Sequence, residues 1–523
     1  MRHSVGRAGA LLVSLLVVLG FVSSAAYASG GQQGGSQARA PAASNQGGSI
    51  TVLLGSGLFG SWTGFDPVIT TAQSEFENAV YGALFQVGQQ DKLIPDLATS
   101  YTLGNGGETL TIHLRPGVTF SNGDPFNASV VAYNFKRSID PTTPNGPLIG
   151  QNFPMTSVTT PDNETVVVNF SHVFAGVLTS IPSILDPVAL QNMGEVAYNL
   201  APVGAGPFMV ASDKPSASLV LTKNPHYWRT GYPKLGTLNI ETTGSDESAY
   251  EAMQSGQGNV YIGLQNLGLV AQAQKNSQLK LYTVPPTGTW ALQLNAQKPP
   301  LNNKLAREAL YYATDPATIN KHLFGDHYAL TQSPTGPGGL FYTPKVSGYR
   351  TYNLAKAKAL VKQLGGLNLN LATVSLGSNL ATFTDDALQT QWKEAGINAN
   401  LVTEPLTSEL QQWHSGDWNS FLVQMGSYDP ATGFGLPLWF GAQTFAKGVT
   451  DPTLVNMMDQ AAGTFNNSQR ATYYSQIFKY LSDQAYAVFL FTVPAWNLST
   501  KNVTGLPQLA GLGIVNWEDV GVK

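Results

Sequence analysis

The chain has 523 residues, too many for one core, so two or more domains are expected. Only 11% of its residues are charged, and 28 basic against 32 acidic side chains leave a net charge of −4. That balance disfavours a nucleic-acid binder, and the absence of cysteine excludes disulfides, thiol catalysis, iron–sulfur clusters and lipid attachment through a leader cysteine.

In chain order, Arg2, His3 and Arg7 precede an apolar run from Ala10 to Val22, followed by the small-x-small site Ala26-Tyr27-Ala28. This predicts a secretory signal peptide over 1–28, with an uncleaved anchor as the other reading. Residues 29–48 are Gly/Ser/Gln/Ala-rich and read as a flexible linker. Strands are predicted at Ser49 onward, 109–114, 164–170 and 218–223, with a helix over 129–138. The second half alternates differently. Helices are predicted over 303–313, from Asp315-Pro316, from Asn353 to Gly365, over 384–395 and over 407–414. Strands at 371–376, 398–402 and 421–425 fall between them, which implies parallel βαβ units. Ligands of such sheets meet the loops after the strands, here 377–383 and 426–436. A helix over 468–484 leads to a buried-type strand over 487–493.

Motifs for chemistry are missing. There is no HExxH, no phosphate-cradling GxxxxGK[ST] and no Ser flanked by Gly at −2 and +2. His322 and His327 are five apart and do not share a helix face. No catalytic residue, metal ligand or cofactor is predicted, although distant carboxylates leave a secreted hydrolase of peptides or glycans as an alternative.

Four blocks in order carry a resemblance. The first is Phe65-Asp66-Pro67, Val80-Tyr81-Gly82-Ala83-Leu84 and Pro95-Asp96-Leu97-Ala98. The second runs from Thr111 through Leu114-Arg115-Pro116-Gly117-Val118 to Gly123-Asp124-Pro125-Phe126. The third is Gly204-Ala205-Gly206-Pro207-Phe208 with Asn224-Pro225-His226-Tyr227-Trp228. The fourth is Asn295, Pro299-Pro300, Leu305 to Leu310 and Ala313-Thr314-Asp315. Together they resemble the extracellular solute-binding proteins of ABC importers, family 5, the oligopeptide/dipeptide/nickel-binding class. The match runs over 49–523. The motifs themselves read as structural: the glycines serve tight turns or positive φ, Tyr227 and Trp228 pack in the core, and Arg115 pairs with an acid or caps a strand end.

The resemblance implies an α/β fold, a two-lobed periplasmic-binding-protein-like clamp of type II with an extra insert domain and mixed sheets flanked by helices. Lobe one would be 49–288, including an insert about 86–200; lobe two would be 289–491; residues 492–523 would return to lobe one. Hinge crossovers would lie near Pro285–Thr289 and Phe491–Pro494. The protein would capture a solute, peptides among the candidates, by lobe closure and deliver it to membrane permease subunits, as a monomer in the periplasm or cell envelope. A sensor or chaperone on the same fold is a further alternative.

Peptide-binding relatives hold the ligand ammonium with an acid in the segment matching Gln424 to Pro430. Here Ser427 takes the acid's place, beside Gly426 and Tyr428, and Asp429 follows next to Pro430. Either Asp429 takes over, or the ligand lacks a free ammonium. The second reading is preferred. Position adds Trp62, Trp290, Asn295, Phe434, Trp439, and the loop Gln332–Gly339 with Phe341 and Tyr342. Trp413 reads as core.

Overall fold

The computed structural model describes residues 47–55, 62–69, 74–87, 93–373, 379–403, 406–432, 435–441, 446–506 and 516–523. The signal-peptide segment, nearly all of the linker, and Phe434 lie outside the described residues.

The first lobe is built on a seven-stranded mixed sheet. Its order is Leu279–Val284, Ala495–Thr500, Val260–Leu264, Ser49–Leu54, Thr237–Thr242, Ser218–Lys223 and Phe208–Lys214. Ser49–Leu54 is parallel to both of its neighbours, and the other pairs are antiparallel. The second lobe is built on six strands: Ala329–Leu330, Ala487–Thr492, Thr289–Leu294, Ser420–Met425, Leu367–Thr373 and Ile397–Thr403. The last three are parallel, as the βαβ reading requires. A four-stranded antiparallel sheet, spanning Ala98 to Phe170, forms the insert with the helix Ala128–Ser138 against it. The fold is thus a two-lobed α/β clamp.

Chain crosses between the two large sheets twice, at 285–288 and at 493–494. Apolar packing continues across these crossings, because one cluster of buried side chains holds Leu53, Tyr261 and Leu264 together with Trp290, Leu490 and Trp496. The C-terminal segment packs on the first lobe, where Trp517 stacks on Phe76 with ring centroids 5.7 Å apart.

Several elements begin where local chemistry places them. Asn127, Asn303, Asp315 and Asn353 each accept a backbone N–H from the first turn of their helix. Two boundaries differ from expectation. The strand expected at 371–376 begins already at Leu367, because Leu367, Leu369 and Leu371 are buried while Asn368 and Asn370 face outward; 374–376 lie outside the described residues. The helix expected from Thr384 begins at Asn379, and Ala381 and Thr384 are buried in its first turns. Thr382, Phe383 and Thr384 are weak helix formers, and tertiary packing overrides that preference.

The motif residues knot the first lobe together. Asp66 takes both guanidinium nitrogens of Arg137, at 2.8 and 2.6 Å, joining the first block to the insert helix. A Cβ at Gly204 would lie 2.1 Å from the Val80 carbonyl, so this glycine serves a close backbone approach. Gly204 and Gly206 are not among the positive-φ residues, so close backbone approach rather than a left-handed φ is what requires glycine at these two. Asn224 Nδ2 donates to the Gly206 carbonyl at 2.8 Å. Arg115 lies 3.7 Å over the Trp228 ring and donates to the Asp96 carbonyl at 3.0 Å. Tyr227 and Trp228 are half-buried rather than core. Burial, and next the charge of Glu518, push Asp96 up to about 6.

Candidate functional site

Strand direction locates the cleft. Parallel strands of the first sheet end at Leu54, Thr242 and Leu264, on the edge where Val284 pairs with Ala495. Parallel strands of the second end at Thr373, Thr403 and Met425, on the edge where Met425 pairs with Thr289. Both carboxyl edges therefore flank the two crossovers. Ligands of α/β sheets are received at such edges.

The segment Gly426–Thr432 leaves the second sheet at this edge. It is pressed against the crossover. A Cβ on Gly288 would sit 1.9 Å from the Met425 carbonyl oxygen, and Gly426 itself has φ +108°. The glycine-rich loop closes the other side. Gly336 N–H donates to the Thr287 carbonyl at 2.8 Å, Gly338 N–H to Pro286 at 2.9 Å, and Leu340 N–H to Tyr428 at 2.7 Å. The loop read as a cleft wall thus also buttresses the crossover, which explains why small residues are needed there. Tyr342 follows it, half-buried, with its hydroxyl raised by burial.

Within the segment, Ser427 Oγ donates to the Asp429 carbonyl at 2.6 Å and lies 2.9 Å from the Thr432 hydroxyl. The Asp429 carboxylate points inward. Its Oδ1 accepts from Arg470 at 2.6 Å and from the Ala431 N–H at 2.9 Å. Side-chain exposure of the pair is 1% and 2%. Arg470 is also seated over the Phe341 ring at 4.8 Å, and Phe341 stacks on Tyr474 at 4.9 Å. Burial alone would lower the Arg470 guanidinium, yet the Asp429 charge beside it holds it above its usual value. Asp429 is therefore committed to an internal ion pair, while the neutral Gly426 and Ser427 before it are half-buried.

The same segment meets the insert. Ala431 belongs to the insert's apolar cluster, and the Thr432 methyl lies 3.3 Å from where a Gly176 Cβ would be. Ala462 and Phe465 of the second lobe pack there too.

Other predicted site residues are spread out. Trp62 is buried in the first-lobe core, with its indole N–H on Asp213 at 2.8 Å. Trp290 is buried in its strand, one residue beyond the crossover. Asn295 lies at the opposite end of that strand, about 20 Å from the cleft edge at the usual rise per residue. There it donates to the Trp418 carbonyl at 2.8 Å and to Gly416 at 3.1 Å, tying a turn. Trp439 is buried in the second-lobe core beside Trp413 and Phe421. The structure brings Gly426, Ser427, Tyr428, Asp429 and Tyr342 together and leaves Trp62, Asn295 and Trp439 elsewhere.

Sequence reading missed two acids near the same edge. Asp385 is fully buried and Glu409 is 2% exposed. Read from the sequence, this helix begins at Thr384 with no acid on it singled out. The signal was present in the spacing, because Ala381, Asp385, Leu388 and Trp392 share one helix face. Burial pushes Asp385 up to about 8; Thr373 opposes this, and Asp386 and Glu409 add to it.

Comparison with known proteins agrees with this architecture. Residues 92–447 match the family model of the bacterial extracellular solute-binding proteins, family 5. The chain belongs to that family, whose members are the solute-capturing components of ABC importers. It is 24% identical to the glutathione-binding protein GsiB of Shigella dysenteriae, over the full length of both. It is 24% identical to the dipeptide-binding protein of Escherichia coli, covering 89% of this chain and 93% of that one. The substrate-binding protein CtaP of Listeria monocytogenes shares the fold with a TM-score of 0.77 at 21% identity, over 91% of this chain and 99% of the other. No helix among the described residues is long and apolar enough to cross a membrane.

Proposed function

We propose that this protein captures a small peptide or peptide-like solute outside the cytoplasm and hands it to a membrane permease. The observation that carries this reading is the pair of crossovers between two sheets whose ligand-receiving edges flank them. Lobe one would comprise 49–288, with the insert about 86–200, and 492–523; lobe two would comprise 289–491. Pro285–Thr289 and Phe491–Pro494 act as the hinge, and solute selects the closed form. The solute lies against Gly426, Ser427, Tyr428 and Tyr342. Relatives named for glutathione and dipeptide support the class of ligand. Because Asp429 is held by Arg470, the group docked at Ser427 carries no free ammonium. The leader exports the chain, and with no cysteine it is free of a lipid anchor of that kind.

The test is calorimetry and thermal melting of residues 29–523 with glutathione and with di- and tripeptides, each free and N-acetylated. Binding without turnover is expected, with N-acetylation tolerated. A ligand at a hundred times its Kd should add about 2.7 kcal/mol of stability. Hydrolysis of the added peptide, or no binding of any peptide, would overturn the reading. Binding confined to free N-termini would overturn the role given to Ser427.

A further inference from the structure

We propose that Asp385 is the counter-ion for a long-stemmed basic side chain of the captured solute, a primary ammonium or a guanidinium. This rests on the chain being a binder of peptide-like solutes.

Asp385 sits on the inward stripe of the helix Asn379–Glu394, between Ala381 and Leu388. It is 0% exposed, and beyond the Thr373 hydroxyl that eases its charge no cation faces it among the described residues. An ionised acid in such surroundings is costly, and native proteins almost always give one a donor or a counter-charge. The charged groups that act on it are Asp386 and Glu409, and both repel. No lysine, arginine or histidine among the described residues forms an ion pair with it. What Asp385 lacks among the described residues is a counter-charge, and a cation carried by the solute would supply it.

Place and chemistry narrow that cation. Thr373, whose hydroxyl eases the charge, is the last described residue of its strand, on the side of the carboxyl edge where solutes are received. Asp385 lies six residues into its helix, about 9 Å below the start of it. Only a charge on a stem of several methylenes reaches that depth while its backbone stays in the cleft. A metal ion fits less well, because no group of three or more His, Cys, Asp or Glu suited to one exists among the described residues. The departure at Ser427 then has a counterpart: the segment that holds an ammonium in relatives is neutral here, and an uncompensated acid stands in the neighbouring βα unit.

The test compares tripeptides carrying lysine at one position with the same peptides carrying norleucine there, free and N-acetylated, by calorimetry. Both members of a pair share length, terminus and apolar stem. Wild type should prefer at least one lysine peptide by about tenfold or more, the worth of one charge-assisted contact. Asp385→Asn and Asp385→Ser, checked for cooperative melting, should bring that preference to within about twofold while leaving norleucine affinity unchanged. Equal lysine and norleucine affinity in wild type, or an undiminished preference in both variants, overturns the proposal alone. If no peptide of either kind binds wild type, the peptide reading falls and this inference falls with it.

Discussion

Replacing Arg470 with methionine removes the cation from a fully enclosed pair. Asp429 keeps the Ala431 N–H but loses the Arg470 counter-charge, and the Ala461 carbonyl loses the Arg470 Nε–H at 3.3 Å. Breaking a buried pair by deleting one partner costs about 3–5 kcal/mol, because the remaining charge has no solvent. At a few degrees per kcal/mol, the melting temperature should fall by roughly 6–20 °C. Removing both charges, in Asp429→Asn with Arg470→Met, leaves no stranded ion and should recover about 1–3 kcal/mol of that loss. Tryptophan fluorescence during urea unfolding measures both variants, and calorimetry measures solute affinity at a temperature where each is folded. Affinity should stay within about twofold of wild type, since neither group faces the cleft. An Asp429→Asn protein that is as stable as wild type yet fails to bind solute would refute the reasoning, since the carboxylate would then serve the ligand.

Further outcomes follow from the same geometry. Asp385 has its proton affinity raised from the usual 3.8 to about 8, so the folded state binds that proton more tightly than the unfolded state. Wild-type stability should therefore fall as pH rises from about 4 to about 8, and Asp385→Asn should flatten that decline, with a gain on the order of 5 kcal/mol at pH 8 and none at pH 4. Denaturant titration across this range checks the sign. Gly288→Ala would drive a Cβ into the Met425 carbonyl at 1.9 Å, and the overpacking should cost about 1–3 kcal/mol and weaken solute binding together. Unchanged binding and stability would mean that the crossover yields freely. Arg115→Ala loses its stack on Trp228 and its bond to Asp96, so it should destabilise by about 1–3 kcal/mol with solute affinity unaltered.

The cleft edge was legible because its markers are local. Alternation of apolar runs such as Phe421–Met425 with amphipathic helices places the strand ends, and the Gly336–Gly339 run announces a backbone packed on backbone. Trp62, Asn295 and Trp439 were not legible in the same way. An aromatic or an amide looks alike in a core, a turn or a cleft, and only its neighbours decide. Asn295 shows this well: its two donated bonds go to Gly416 and Trp418, more than a hundred residues away in the chain.

By itself, the sequence determined the βαβ order of the second lobe, the caps at Asp315 and Asn353, and the family, whose resemblance implied the two places where chain passes between sheets. These follow from periodicity, capping chemistry and motif order, which act over a few residues. Tertiary structure alone decided that Asp429 is spent on Arg470 and that Asp385 has no counter-charge among the described residues. A carboxylate's role depends on which charges and donors surround it, and these come from 41 residues away in one case and from a separate strand and helix in the other.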